Sequence, residues 1–375
     1  MKNNAGLESS IFATTALVAF AGAAAAQSTI SGHPDRSGNI RLEGSAEMGI
    51  AGGSGTTPTT FFQSVDVRFS LSGTTDNGLS FGAVVDLEDA TDRNDGLVDR
   101  AGAFADFTVF VSGDFGRLTM GDTDGAFDWA VDELNAIRNA GSIADNETGH
   151  AGYLNAGGAD SIYNGQQLRY EYSIGGFGVA VSAEVDGSAT RDGDAVMQIG
   201  LAYDLEFAGG ELNLGLGYAS VSDANRRAVP TGVLATSAAG IAAINAAGAP
   251  IAGDQGFSSL GLSAIVALDA GLSIGVNYLD VSDDGFYLAD GEYVGVGIGY
   301  NFDAITVSAN FGEFDWGVAS NQADSEGYGL AAQYNLGGGL SAHLGYGESK
   351  VTAVNASGAT VGTSSTFSLG LSMAF

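Results

Sequence analysis

Large apolar residues recur at every second position over most of the chain. Phe367, Leu369, Leu371, Met373 and Phe375 interleave with Ser368, Gly370, Ser372 and Ala374. A period of two sends successive side chains to opposite faces of a strand, so this segment has one oily face and one wet face. Ile40, Leu42, Ala46, Met48 and Ile50 alternate in the same way with Arg41, Glu43, Ser45 and Glu47. Leu168, Tyr170 and Tyr172 alternate with Gln167, Arg169 and Glu171. Sixteen such segments are expected: 39–50, 61–73, 79–88, 101–112, 115–121, 166–174, 177–186, 195–206, 211–221, 257–268, 271–282, 292–301, 304–314, 326–335, 339–350 and 363–375. Most have the ~9–11 residues that a tilted membrane-spanning strand needs.

The connections alternate as well. Seven are short and rich in Gly, Asp and Asn, such as Asp76-Asn77-Gly78, Gly175-Gly176 and Gly337-Gly338-Gly339, residues that tolerate positive φ in hairpin turns. Eight are long, at 51–60, 89–100, 122–165, 187–194, 222–256, 283–291, 315–325 and 351–362. Short turns at one end and long loops at the other is the layout of an all-β transmembrane antiparallel barrel. Pairing of the first segment with the last closes it. Aromatic residues beside strand ends, among them Phe177, Tyr203, Tyr300, Phe302 and Tyr334, suit girdles at membrane interfaces. A soluble double sandwich or propeller can be built from the same strands, with the oily faces buried against each other. The loop alternation and the leader favour the membrane barrel.

That leader is residues 1–26. Ile11 to Ala26 carries no charge and ends in Ala24-Ala25-Ala26, a small-residue cleavage pattern expected of a Sec-type export signal, with cleavage before Gln27. The mature barrel domain is then 27–375. The Ala-rich stretch from Val229 to Ile251 is interrupted by Pro230, Pro250 and several Gly, so it reads as a surface loop rather than a membrane helix.

Composition narrows the function. Of 375 residues 59 are Gly and none is Cys, which removes disulfide scaffolds, thiolate metal sites and cysteine nucleophiles. Only 13 residues are Lys or Arg against 44 Asp or Glu, for a net charge of −31, so nucleic acid is excluded as a partner. The 45% apolar fraction excludes a disordered acidic tail and is expected to form a belt facing lipid rather than a buried core.

Two runs carry a family resemblance. Glu43-Gly44-Ser45-Ala46-Glu47-Met48-Gly49-Ile50 lies in the first strand. Phe115-Gly116-Arg117-Leu118-Thr119-Met120-Gly121-Asp122 continues into Thr123-Asp124-Gly125-Ala126-Phe127-Asp128-Trp129-Ala130. With the terminal Phe375, the chain resembles the general porins of alphaproteobacteria, of the Rhodobacter type. The resemblance implies a homotrimer of sixteen-stranded barrels in the outer membrane of a Gram-negative cell. Such barrels lie among lipid and lipopolysaccharide and pass small hydrophilic solutes and ions by diffusion, without a cofactor. It also implies that the loop at 122–165 folds inward to form the constriction. Residues 31–38, with His33-Pro34-Asp35-Arg36, depart from the family pattern as an insertion before the first strand.

Candidate site residues follow. The loop offers Asp122, Asp124, Asp128, Asp132, Glu133, Asp145 and Glu147 as the acidic side of a constriction, with Phe127 and Trp129 as the aromatics near it. Arg41, Arg68, Arg117 and Arg169 fall on the polar phase of their strands and are the candidate basic wall, with Glu43, Asp66 and Glu171 as candidate ion-pair partners. The overall charge points to cation preference. A structural calcium ion has candidate ligands in Asp89, Asp92 and Asp95, or in Asp122 and Asp124, although neither group has EF-hand spacing. Ser341 and His343 share a lumen face, so a barrel hydrolase stays open as an alternative, as do a solute-specific channel and a non-conducting structural barrel.

Overall fold

A computed structural model of the chain describes residues 38–54, 58–88, 104–134, 141–154, 167–185, 193–222, 256–284, 290–316, 323–355 and 358–375. The alternating segments form sixteen strands: β1 Gly38–Gly53, β2 Thr60–Thr74, β3 Ser80–Glu88, β4 Phe104–Gly113, β5 Gly116–Gly121, β6 Gln167–Ile174, β7 Phe177–Glu184 and β8 Val196–Phe207. The second half comprises β9 Gly210–Val221, β10 Gly256–Leu268, β11 Leu272–Asp284, β12 Gly291–Phe302, β13 Ile305–Trp316, β14 Ala323–Gly337, β15 Leu340–Asn355 and β16 Gly358–Ala374. One short helix, α1 Ala126–Ala130, follows β5.

Every strand pairs antiparallel with its sequence neighbour, and β1 pairs with β16 from Ser45↔Ala374 to Gly53↔Thr366. The sheet is a closed barrel, which leaves no unpaired edge. The last residue completes the seam, where the Phe375 N–H donates to the Gly44 carbonyl at 2.8 Å. At the short turns backbone geometry follows residue type, with Gly175 at φ 60 and Asp303 at φ 51.

The barrel is oily outside and polar inside. Leu42, Met48, Phe107, Ile274, Val296 and Leu369 are exposed on the outward phase, while Ser263, Ser273, Asn277, Ser341 and Ser368 are buried on the inward one. Near the loop end of β11–β15, outward tyrosines meet outward acids. The Tyr278 hydroxyl donates to Glu292 at 3.0 Å, Tyr346 donates to Glu348 at 3.1 Å, and Lys350 pairs with Glu326 at 2.6 Å. Phenols at that height with carboxylates beyond them mark the membrane–water boundary.

One expected boundary changes. Residues 351–362 do not form a long loop, because β15 and β16 stay paired to Asn355↔Gly358. The ladder continues through Val351↔Gly362, Thr352↔Val361 and Ala353↔Thr360 despite the polar composition around them. Strand length varies around the wall: β5 has 6 residues and β6 and β7 have 8 each, against 15 to 17 in β14–β16. The chain therefore leaves β5 partway up the barrel and enters the lumen.

A charge placed on the outward face tests this orientation. Val296→Arg, near the middle of β12, is expected to lower barrel stability in bilayers by about 2–4 kcal/mol. Denaturant titration of vesicle-refolded protein measures the change.

Candidate functional site

The loop after β5 begins at Gly121, whose φ of 129 turns the chain inward while the Asp122 N–H still donates to the Phe107 carbonyl at 3.0 Å. α1 has Gly125 at its N-cap and therefore no capping side chain. The wall supplies the missing acceptors. The Ala126 N–H donates to Ser182 Oγ of β7 at 2.8 Å, and the Phe127 N–H donates to Gln198 Oε1 of β8 at 2.9 Å. Beyond the helix the Asp132 N–H donates to Ser263 Oγ of β10 at 2.9 Å, and Asn277 Nδ2 of β11 donates to the Asp132 carbonyl at 3.4 Å.

Glycine makes this close approach sterically feasible. A Cβ on Gly200 or Gly215 would overlap the carbonyl oxygens of Ala126 and Ala130, and one on Gly261 would overlap the Phe127 ring. The helix packs through two apolar clusters. Trp129 and Ala130 meet Ala180 and Ala202. Phe127, Val131 and Leu154 meet Val196, Val221, Phe257, Leu279 and Tyr293. The apolar fraction is thus a lipid belt plus a dry core inside the lumen, which corrects the expectation of a belt alone. A loop held in a wet channel excludes water at its attachment by burying side chains. Phe127 and Trp129 are 1% and 4% exposed, so they anchor the loop and do not line a path.

Residues 141–154 run over the other side of the wall. Ile143 fills the hollow over Gly49 of β1 and Gly370 of β16. His343 Nδ1 meets the Gly141 carbonyl at 2.6 Å, Asn310 Nδ2 donates to the Glu147 carbonyl at 2.7 Å, and the Ala151 N–H donates to Ser349 Oγ at 2.9 Å. These contacts lie on β7–β16 and the outer half of β1. The wall of β2–β5 stands across the barrel from them.

The acidic candidates separate into two groups. Asp122 and Asp145 are exposed, and Asp124 and Asp128 half-buried. Glu133 and Glu147 bond within the loop, and Asp132 is half-buried against the wall. Glu133 accepts the Tyr153 hydroxyl at 2.9 Å. Glu147 is 4% exposed and accepts from Ser142 Oγ at 2.5 Å and the Ser142 N–H at 3.1 Å. Burial raises its carboxyl to about 7, against the opposing pull of those bonds. Burial, then the nearby Asp204 carboxylate, raises Asp132 to about 6.

Each candidate arginine meets a carboxylate on its own or a neighbouring strand of β1–β6. Arg41 pairs with Glu43 at 2.5 Å, and Arg68 with Asp86 at 3.0 Å. Asp66, a candidate ion-pair partner, accepts the Ser45 hydroxyl at 3.2 Å. Register brings Arg68 to its partner, because it lies directly opposite Asp86. Arg117 lies over the Phe110 ring at 3.9 Å and approaches Glu171 at 4.0 Å. Arg169 pairs with Glu171 at 2.9 Å and donates to the Asp124 carbonyl at 2.7 Å. Its side chain is 10% exposed against 62% for Arg41, so it fastens the loop's entry while Arg41 faces the lumen.

The Ser341–His343 pair forms at 2.6 Å, but its third partner is the Gly141 carbonyl and both side chains are buried beneath the loop. It tethers the loop. Among the described residues no three acidic or histidine side chains converge to hold a metal ion. Asp89, Asp92, Asp95 and the leader lie outside the described residues. The tethers Ser182, Gln198, Ser263 and Asn310 were not among the sequence candidates. All lie on the inward phase, but so do many polar residues without such a role.

A closed sixteen-strand barrel with an oily exterior, a polar interior and a loop bound inside it is an outer-membrane channel of the porin class. The chain belongs to the family of Gram-negative porins, whose profile matches residues 13–353. It is therefore a channel and not an enzyme. A porin of Rhodobacter capsulatus is 28% identical over 307 residues, covering 80% of this chain and 91% of that protein. A porin structure refined at 1.8 Å resolution matches with TM-score 0.62 and 25% identity, over 90% of this chain and 100% of that one. A triple mutant of Rhodopseudomonas blastica porin, 19% identical, shares the fold at TM-score 0.56 over the same shares of the two chains.

Asn310 contacts the loop with both ends of its amide, through the Glu147 carbonyl and the His150 ring. Asn310→Ala leaves both buried groups unpaired and is expected to weaken attachment of 141–152 by about 1–3 kcal/mol. Faster amide exchange in that segment, with strand protection unchanged, reports it.

Proposed function

We propose that the protein forms a water-filled channel for passive diffusion of small hydrophilic solutes and ions, that it prefers cations, and that the loop at 122–165 is its constriction. The observation that carries the preference is the pairing of Arg41, Arg68 and Arg169 with carboxylates of their own wall. The net −31 already counts these bases, and since each is matched locally by a carboxylate they add no basic patch opposite the exposed Asp122 and Asp145 of the loop. Counter-ions then concentrate in the lumen, within the ~8–10 Å that salt leaves unscreened. Burial of Phe127 and Trp129 favours general diffusion over a solute-specific path lined by aromatics. The reading includes export by a Sec-type signal at 1–26 and assembly as a homotrimer among lipid and lipopolysaccharide. It requires no cofactor, and it leaves Asp89, Asp92, Asp95, Asp122 and Asp124 as candidate ligands of a structural calcium ion.

Planar-bilayer recording of the refolded protein tests it. Conductance steps are expected, with a reversal potential in a KCl gradient on the cation side; no steps, or anion preference, overturns the corresponding part. Arg41→Gln frees Glu43. One added charge at about 8 Å in water is worth ~0.5 kcal/mol before screening, so cation preference is expected to rise by at most about two-fold.

A further inference from the structure

Two of the protein's three histidines, His150 and His343, lie where the loop meets the wall. The hydrogen bonds assign their protons. Asn310 Nδ2 donates to the Glu147 carbonyl at 2.7 Å, so Asn310 Oδ1 is the end turned to His150 Nε2, 2.5 Å away. Nε2 must then carry the proton. His150 Nδ1 accepts the Gly152 N–H at 3.2 Å, so it must be bare. The ring is 5% exposed and fits only as neutral imidazole, because a second proton would point at an N–H donor. His343 differs: its Nδ1 donates to Gly141, while Nε2 faces the Ser341 hydroxyl, which rotates to accept if a proton arrives.

We propose that His150 is a positioning residue of the constriction, a clasp that holds residues 141–152 against β13 and β14 as neutral imidazole and releases them when protonated. The proposal rests on the loop being the constriction. The surroundings supply no charge to hold an imidazolium. β13 presents Ser308, Asn310 and Gly312 on its inward phase, and β14 presents Ser325, Gly327 and Gly329. From β12 comes Tyr293, and from the loop the Tyr153 ring, edge-on at 5.8 Å, with Glu133 behind its hydroxyl. Glu147 turns its carboxylate to Ser142. Burial accordingly lowers the His150 pKa.

The sign follows. A free imidazole takes a proton near ~6.5. Below that pH the released loop binds a proton that the docked loop refuses, so the docked-to-released ratio falls by up to about ten-fold per pH unit. Glu147 and Asp132, raised to about 7 and about 6, act oppositely, since their protonation favours the docked form. Comparison with a variant that keeps both acids therefore isolates the histidine. His150→Gln is that variant: its amide donates to Asn310 and accepts from Gly152 but does not titrate.

The chain has no Cys, so a nitroxide on Ala144→Cys reports mobility of the 141–152 segment in full-length, bilayer-refolded protein without reference to conduction. Between pH ~6.5 and ~5.5 the released fraction in the wild-type background is expected to rise by up to about ten-fold relative to His150→Gln. Superimposable profiles overturn the clasp. Conductance recorded in parallel separates the two readings, because a mobility difference without a conductance difference leaves the clasp standing and overturns the constriction. If His150→Gln does not fold, the C2–H resonance of His150 in unsubstituted protein decides the matter. A ring neutral below pH ~6.5 supports the clasp, and titration at that ordinary value overturns it.

Discussion

The structure depends on one constraint: a backbone amide in hydrocarbon has no water to bond. Each unpaired group there costs several kcal/mol, so a β-sheet crosses a membrane only when its two edges meet. The pairing of β1 with β16, closed by Phe375 on Gly44, is the condition for the other fifteen pairings to be stable in lipid. Closure fixes the faces too. A period of two leaves half the side chains for lipid and half for the interior, and sixteen strands enclose more space than side chains fill.

That leftover space sets a second requirement. A polar lumen offers the loop after β5 no driving force to stay, since water competes for every hydrogen bond. The chain meets this locally by excluding water. Glycines on the inward phase bring backbone against backbone, and an apolar cluster around Phe127, Leu154 and Tyr293 covers the contact. Within that dry patch wall side chains do what a soluble helix does with its own cap, as Ser182 and Gln198 show at the start of α1.

Sequence period made the barrel legible almost residue by residue, because lipid enforces the pattern on every strand. It failed where lipid does not act. Val351 and Val361 lie above the membrane, where pairing follows the partner strand rather than hydropathy. It failed again inside, because Gly200, Gly215 and Gly261 read as small inward residues and nothing in their spacing says that a helix lies on them. The partner of Arg68 depends on register with β3, which alternation alone leaves open. Asp132 and Glu147 resembled their acidic neighbours in sequence, and only burial distinguishes them from the exposed Asp122 and Asp145.

The same burial divides the labour among the loop's acids. A carboxylate that helps hold the loop is desolvated and takes a proton more readily, so it contributes less field to the lumen than a solvated one, as with Glu147, raised to about 7. A carboxylate that shapes the field must stay solvated, and then it cannot anchor anything firmly. On the proposed reading, attachment and selectivity therefore fall to different residues of one loop. Arg169 and Arg41 repeat the division on the wall: the first is buried against the Asp124 carbonyl and fixes the loop's entry, the second is exposed beside Glu43. On that reading a change in docking and a change in selectivity are separable by mutation, since solvated and desolvated groups carry them.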